Sequence, residues 1–403
     1  MAEPTFVVLG GGPAGCAAAI ALRRSGVGTV VVAEGGTYES DRIGESVPPD
    51  TRRLFARLGL LEAFEREGHE PCYGSCSSWG DDVLGYNDFT VNPNGTGFHL
   101  DRRRFDTFLA HRARKAGAHL VTGARFRSVR PYQEGTGEPA FVVELRTSTG
   151  VRRLKASFVI DAMGSGARLA RDLGAQRLFH DRFFCATGYF HLHDEAEFTQ
   201  LTMLEAVPDG WWYAARLPDR RIAVALACDG DDLRSTMSHE STSWLRRLSQ
   251  TSFLAPALSE SFFLPGSLRV CPVPCFVLDQ PAGPHWLAAG DAASSFDPLS
   301  GQGIHKALSN GLAAAGTIRA QLSGDETAIE RYAEGIRRSF DAFLAQRDMF
   351  YAQERRWPEA TFWARRRDPD GALSPTVHAR FSEGTSGRGT ARPSGPSLPT
   401  ASP

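Results

Sequence analysis

Lysine is almost missing from this chain. Of 45 basic residues in 403, only Lys115, Lys155 and Lys306 are not arginine. The 46 acidic residues bring the net charge to −1, so no global field draws the protein to nucleic acid or to an anionic membrane. No apolar run is long enough to span a bilayer. The N-terminal FVVLGGGPAGCAAAIAL lacks a basic flank and is broken by glycines, which speaks against a secretory signal and for a cytoplasmic protein. Seven scattered cysteines, an odd number, favour reduced thiols over a disulfide framework. Cys72/Cys76 and Cys271/Cys275 have C-x₃-C spacing, but no histidine stands beside them at a ligand-like distance. They read as small buried apolar residues, and no metal site is expected.

Glycine, by contrast, is placed with purpose. Phe6–Leu9 is a short, continuous apolar run of the kind that forms a strand buried on both faces. It leads into GGGPAG, which fits G-x-G-x-x-G at Gly10, Gly12 and Gly15. CAAAIALRRSG then reads as a helix with a small-residue face, stopped at Gly26. A second apolar strand, Thr29–Ala33, ends at Glu34, nineteen residues after Gly15. The first glycine turns the chain, the second lets backbone approach a pyrophosphate, and the third packs helix on strand. Glu34 stands where a carboxylate holds ribose hydroxyls. Gly10, Gly12, Pro13, Ala14, Gly15 and Glu34 therefore read as a dinucleotide site, and the acid favours FAD or NAD over NADP.

A second constellation, GDAASSFDPLSGQGI at 290–304, decides between the two. Glycine starts helices poorly, so Gly301 and Gly303 serve something other than helix stability. A helix beginning there directs backbone N–H groups and its positive dipole end outward. A reduced flavin carries negative charge that such a helix start stabilises, and a ring lying flat on backbone leaves no room for a Cβ. Asp291, after an apolar strand, is placed to bind a polyol chain. The cofactor is read as noncovalent FAD, held at this end by Asp291, Pro298, Gly301, Gln302, Gly303 and Ile304.

GGGPAG, RIGESVPP, LDRRRFDTFL, FVIDAMGSGARLAR and GDAASSFDPLSGQGI, in this order and spacing, resemble the FAD-dependent monooxygenase superfamily over roughly residues 5–320. Its branches include aromatic hydroxylases, tryptophan-halogenase-like proteins and geranylgeranyl-reductase-like enzymes. RIGESVPPDTRRLFARLGL, SSWG near Trp79 and DGWWYAARLP look most like the flavoproteins that mature quinone-cofactor oxidases and amine dehydrogenases. The resemblance implies an α/β fold: a discontinuous Rossmann-like FAD-binding domain with an inserted mixed β-sheet substrate domain and a C-terminal helical segment. The FAD-binding parts are placed at 1–60, 100–175 and 265–322, and the substrate parts at 61–99 and 176–264. Helices are expected over 323–380, with FDAFLAQRDMFYAQERRW amphipathic, and a disordered tail over 381–403.

The same resemblance counts Arg42 among the FAD-binding residues and places Glu45 and Ser46, in a rigid two-proline loop, beside the isoalloxazine. It places Arg102, which opens a helix behind the N-cap Asp101, near FAD phosphate or ribityl. Met163-Gly164 stands where aromatic hydroxylases have Asp-Gly, so NAD(P)H and a separate flavin reductase both stay open as electron source. Alternation sends Trp211 and Tyr213 to one face of a substrate strand and Trp212 to the other. Glu45, Tyr213 and His305 are the candidate catalytic groups. The implied function is hydroxylation, through a flavin peroxide, of an aromatic small molecule or a tryptophan-containing polypeptide. Reduction of a C=C bond, as in the geranylgeranyl-reductase-like class, is the alternative. Halogenation is disfavoured. The halogenase lysine has no counterpart around HEPCYGSCSSWG, Ser300 stands where those enzymes have a glutamate after Asp-Pro-Leu, and their W-x-W-x-I-P strand is WWYAARLP here.

Overall fold

The apolar run at the N-terminus forms β1 (Thr5–Leu9), the centre of a mostly parallel sheet. A computed structural model describes residues 5–40, 42–132, 140–230 and 241–367. The expected tail at 381–403, and the helical expectation beyond residue 367, lie outside the described residues. β2 (Thr29–Ala33) runs parallel to β1, with Leu9 opposite Ala33. β3 (Phe158–Asp161) flanks its other side, with Leu9 opposite Asp161. His119–Val121 and Trp286–Ala288 extend the two edges in parallel, and Ala282–Gly283 closes one edge antiparallel. Parallel strands need crossovers that cover both faces, and β1, β2 and β3 are accordingly buried along almost their whole length.

α1 (Pro13–Arg24) is the first crossover. Its small face serves close packing on α3 (Gly303–Leu322): a Cβ on Gly311 would come within 2.4 Å of the Ala14 carbonyl oxygen. α2 (Arg102–Lys115) also packs on α1. Asp101 caps it by accepting from the Arg104 N–H at 2.9 Å, and Phe105, Phe108 and Leu109 form its buried stripe.

The second layer is a long mixed sheet built on β4 (Arg177–Leu192), β5 (Gly210–Leu217), β6 (Arg221–Cys228) and β7 (Arg269–Leu278). β7, which falls in the segment assigned above to the FAD-binding part, pairs with β4 from Leu278 opposite Arg177 to Arg269 opposite Thr187. Leu201–Val207, Gly74–Ser78 and Leu84–Asp88 complete the far side. Period-two alternation divides the aromatics of β5. Trp212 packs with Trp244 in one core, and Trp211 and Tyr213 join a second core on the opposite face.

α4 (Ala328–Gln353) and α5 (Thr361–Arg367) close the fold. The buried stripe of α4 recurs at three- and four-residue spacing through Tyr332, Ile336, Phe340, Phe343, Arg347 and Tyr351. Its last two members are polar. Six of the seven cysteines are buried and Cys271 is half-buried, all as free thiols. No described helix is long and apolar enough to cross a membrane.

Candidate active site

A cavity of about 1260 Å³ runs from the turn after β1 to the inner face of the mixed sheet. At its first end, Gly10 has φ +101°, and a Cβ there would lie 2.2 Å from the Ala162 carbonyl oxygen. Gly15 packs helix on strand, since its Cβ would meet the Gly10 oxygen at 1.9 Å. Gly12 differs: the nearest atom to a Cβ there is Arg42 Nη1 at 3.6 Å, and the residue lines the cavity with Pro13 and Ala14. α1 has no side-chain cap, so its first N–H groups face this end. Glu34 is buried, accepting from the Gly11 N–H at 2.7 Å and the Gly36 N–H at 2.8 Å, with Arg42 at 3.4 Å. Arg102 donates to the Ile43 and Gly44 carbonyls at 2.5 and 3.0 Å and pairs with Asp106 at 3.2 Å. These bonds fasten the loop that carries Glu45 and Ser46.

Glu45 is buried, and its oxygens accept from the Gly44 N–H at 3.1 Å and the Tyr189 hydroxyl at 3.4 Å. Burial raises its pKa, opposed by the charge of Arg102 and by those hydrogen bonds. Ser46 and Tyr213 share a hydrogen bond of 2.8 Å, and burial pushes the tyrosine well above the usual phenol range, so it remains a neutral phenol. Both pairs tie this loop to the mixed sheet.

At the helix start, Asp291 lines the cavity and pairs with Lys306 at 2.7 Å; Lys306 also donates to the Ser294 carbonyl and lies over the Phe296 ring. Pro298, Gly301, Gly303 and Ile304 line the same wall. Gly301 has φ +60°, and beyond the adjoining chain neither it nor Gly303 has a protein atom within 4 Å of where a Cβ would stand. Packing within the protein therefore does not account for Gly303, whereas a flat ring seated on the helix start does. The residues present fit FAD. Gln302 caps α3 without a side-chain hydrogen bond, leaving the first N–H groups of the helix open.

His305 does not line the cavity. Its Nδ1 lies 3.1 Å from the Thr51 hydroxyl, and burial lowers its pKa. Several lining residues were not singled out from sequence. Arg125 and Arg168 line the dinucleotide end and Tyr189 the sheet end. Arg168 lies in the quoted GSGARLAR motif, but nothing in the pattern distinguished it from a solvated arginine. Tyr189 sits on an alternating strand without a signal of its own.

The chain belongs to the FAD-binding domain family, whose model matches residues 3–346. LodB of Marinomonas mediterranea, provisionally named a FAD-dependent oxidoreductase, is 27% identical over 93% of this chain and 98% of its own length. Other curated relatives are named as halogenases, and the chain spans 62–72% of their length. Among solved structures, the flavin-dependent halogenase CmlS matches with a TM-score of 0.81 and 25% identity, over 95% of this chain and 72% of that one. The peptidyl tryptophan dihydroxylase QhpG matches with a TM-score of 0.69 and 26% identity, over 91% and 79% of the two chains. The protein is thus an FAD-dependent oxidoreductase of halogenase-like fold.

Proposed function

We propose that this family member inserts oxygen into an aromatic ring, an indole or the indole of a tryptophan within a polypeptide. The observation that carries the reading is the sheet end of the cavity. Trp211, Tyr213 and Tyr189 line it, and none of the chain's three lysines is available there. Lys306 is held by Asp291 and the Ser294 carbonyl, Lys155 donates to Tyr132 at 2.7 Å, and Lys115 ends α2. A halogenase of the kind described above delivers its halogen through a lysine, so the halogenase names among the relatives count for less than this missing group. The likeness to QhpG, a peptidyl tryptophan dihydroxylase, supports the same reading, and LodB, matched over nearly its full length, is named an oxidoreductase rather than a halogenase.

Bound FAD would supply the redox chemistry, with NAD(P)H or a separate flavin reductase as electron source. The chain's own residues do the rest. Gly10, Gly12, Glu34, Arg42 and Arg102 hold the dinucleotide, and the start of α3 holds the ring. Pro272, Val273 and Pro274 add apolar surface to the cavity lining. The Trp211 and Tyr213 face seats the aromatic substrate. Glu45, whose pKa burial raises and whose oxygen accepts from the Tyr189 hydroxyl, is the carboxyl group placed to exchange a proton at this wall. The test is turnover of indole and of a tryptophan-containing peptide with reduced FAD, dioxygen and excess chloride or bromide, followed by mass spectrometry. A product heavier by one or two oxygens supports the proposal. A halogen isotope pattern, or gain of two hydrogens by an alkene substrate without oxygen, overturns it.

A further inference from the structure

The loop that seats the helix start is held from a place the cofactor motifs do not reach. Asp297 is fully buried. One carboxylate oxygen caps the next turn, accepting from the Leu299 N–H at 2.9 Å. The other accepts from Arg347 Nε at 3.0 Å and from the Tyr351 hydroxyl at 2.9 Å, both on α4. A carboxylate removed from water needs such donors, so the loop keeps this position only while α4 is docked.

Tyr351 has a second partner. Trp211 Nε1 donates to its oxygen at 3.1 Å, and Trp211 lines the sheet end of the cavity. Arg347 also pairs with Asp181 of β4, and Arg366 of α5 bridges Asp181 and Asp229 at 2.9 and 2.8 Å. Apolar residues of similar volume would serve stability as well as a buried ion pair does. What these charges add is direction, joining the loop at one end of the cavity to the sheet at the other. Arg347 and Tyr351 lie just past residue 346, where the family match ends.

We propose that Arg347 and Tyr351 are positioning residues for the flavin. Through Asp297 they fix the loop 297–303, and through Trp211 Tyr351 ties that loop to the wall that seats the substrate. Neither side chain need touch the reacting atoms. The proposal concerns FAD binding, so it stands or falls separately from the choice between oxygen insertion and halogenation.

Tyr351→Phe keeps the ring and removes the hydroxyl. FAD-free protein is titrated with FAD, and the visible bands of the bound flavin are recorded. The expected result is about tenfold weaker FAD binding, as befits loss of one hydrogen bond to a charged group, with altered flavin bands. Arg347→Lys keeps a cation facing Asp181 and Asp297 but cannot span both, and about threefold weaker binding is expected. It serves as the test if the first variant does not fold. Trp244→Phe removes a buried N–H bond to the Ala186 carbonyl on the far face of the same sheet, away from Asp297. It should bind FAD as wild type does, with unchanged bands. Wild-type affinity and bands in both α4 variants overturn the proposal, as does a loss in Trp244→Phe equal to that in Tyr351→Phe.

Discussion

Replacing Gly303 by alanine should move the stability of the FAD-free protein and its affinity for FAD in opposite directions. Gly303 opens α3 outside the left-handed region, and a Cβ there would meet no protein atom beyond the adjoining chain within 4 Å. In the absence of flavin the substitution therefore removes chain entropy without a clash, a gain of roughly 0.5–1 kcal/mol. With a ring seated on the helix start, the same methyl intrudes into a filled contact. Overpacking of that size costs about 1–3 kcal/mol, or roughly 5- to 150-fold in Kd. Gly301→Ala is the contrast. Its Cβ also meets open space, but φ is +60°, and left-handed strain of about 1–2 kcal/mol should lower the stability of the FAD-free protein too. Urea unfolding of FAD-free protein and fluorescence titration with FAD measure both quantities. General damage to the fold cannot yield a more stable protein that binds FAD less well. Wild-type FAD affinity in Gly303→Ala would refute the reasoning and move the ring away from the start of α3.

Glu34→Ala should weaken FAD binding by roughly 1.5–3 kcal/mol through loss of charge-assisted hydrogen bonds; isothermal titration with wild-type affinity would remove Glu34 from the site. Asp291→Ala should weaken FAD binding and also lower the melting temperature, because buried Lys306 is left with the Ser294 carbonyl as its remaining hydrogen-bond partner; an unchanged melting temperature would count against that pairing. His99 is fully buried, and burial lowers its pKa from 6.5 to about 4. The unfolded chain takes up that proton first as pH falls, so stability drops between pH 6.5 and about 4. Relative to His99→Gln, which cannot titrate, the wild type should lose roughly 1.4 kcal/mol per pH unit across that window; a stability difference that stays constant with pH would show that His99 protonates in the folded state.

The strand, glycine turn, helix and acid-tipped strand at 5–34 were legible because each follows from a local rule. A buried parallel strand needs a continuous apolar run, and the turns need residues without a Cβ. The structure adds what those rules do not contain. Gly10 and Gly15 are demanded by backbone oxygens 2.2 and 1.9 Å from their missing Cβ positions, whereas Gly12 and Gly303 face the cavity. All four look alike as letters in a motif, and the packing around them separates the glycines that shape the protein from those that leave room for a ligand. The alternation of β5 was readable in the same way, as period two alone sends Trp211 and Tyr213 to one face. What it could not supply was their partners, since Ser46 lies 167 positions from Tyr213, and Tyr351 lies 140 from Trp211.

His305 and Arg347 show where sequence spacing misleads. His305 follows Gly301 by four residues, close to one helical turn, and in the chain it sits beside the cofactor motif. Its ring nevertheless turns to Thr51, away from the cavity. Arg347 has no motif around it, and an arginine on an amphipathic helix reads by residue type as solvated. In the fold that arginine has 2% of its side chain exposed and lies between Asp181 and Asp297. The two acids come from different layers, a strand of the mixed sheet and the loop before α3. A buried cation is stable only where such acids converge, and convergence is a property of the tertiary arrangement rather than of any window of sequence. The same reasoning explains why the C-terminal helix can act on the flavin loop although no cofactor motif extends to it. The dependence runs through Asp297, a residue whose own motif was recognised for its neighbours Pro298 and Gly301.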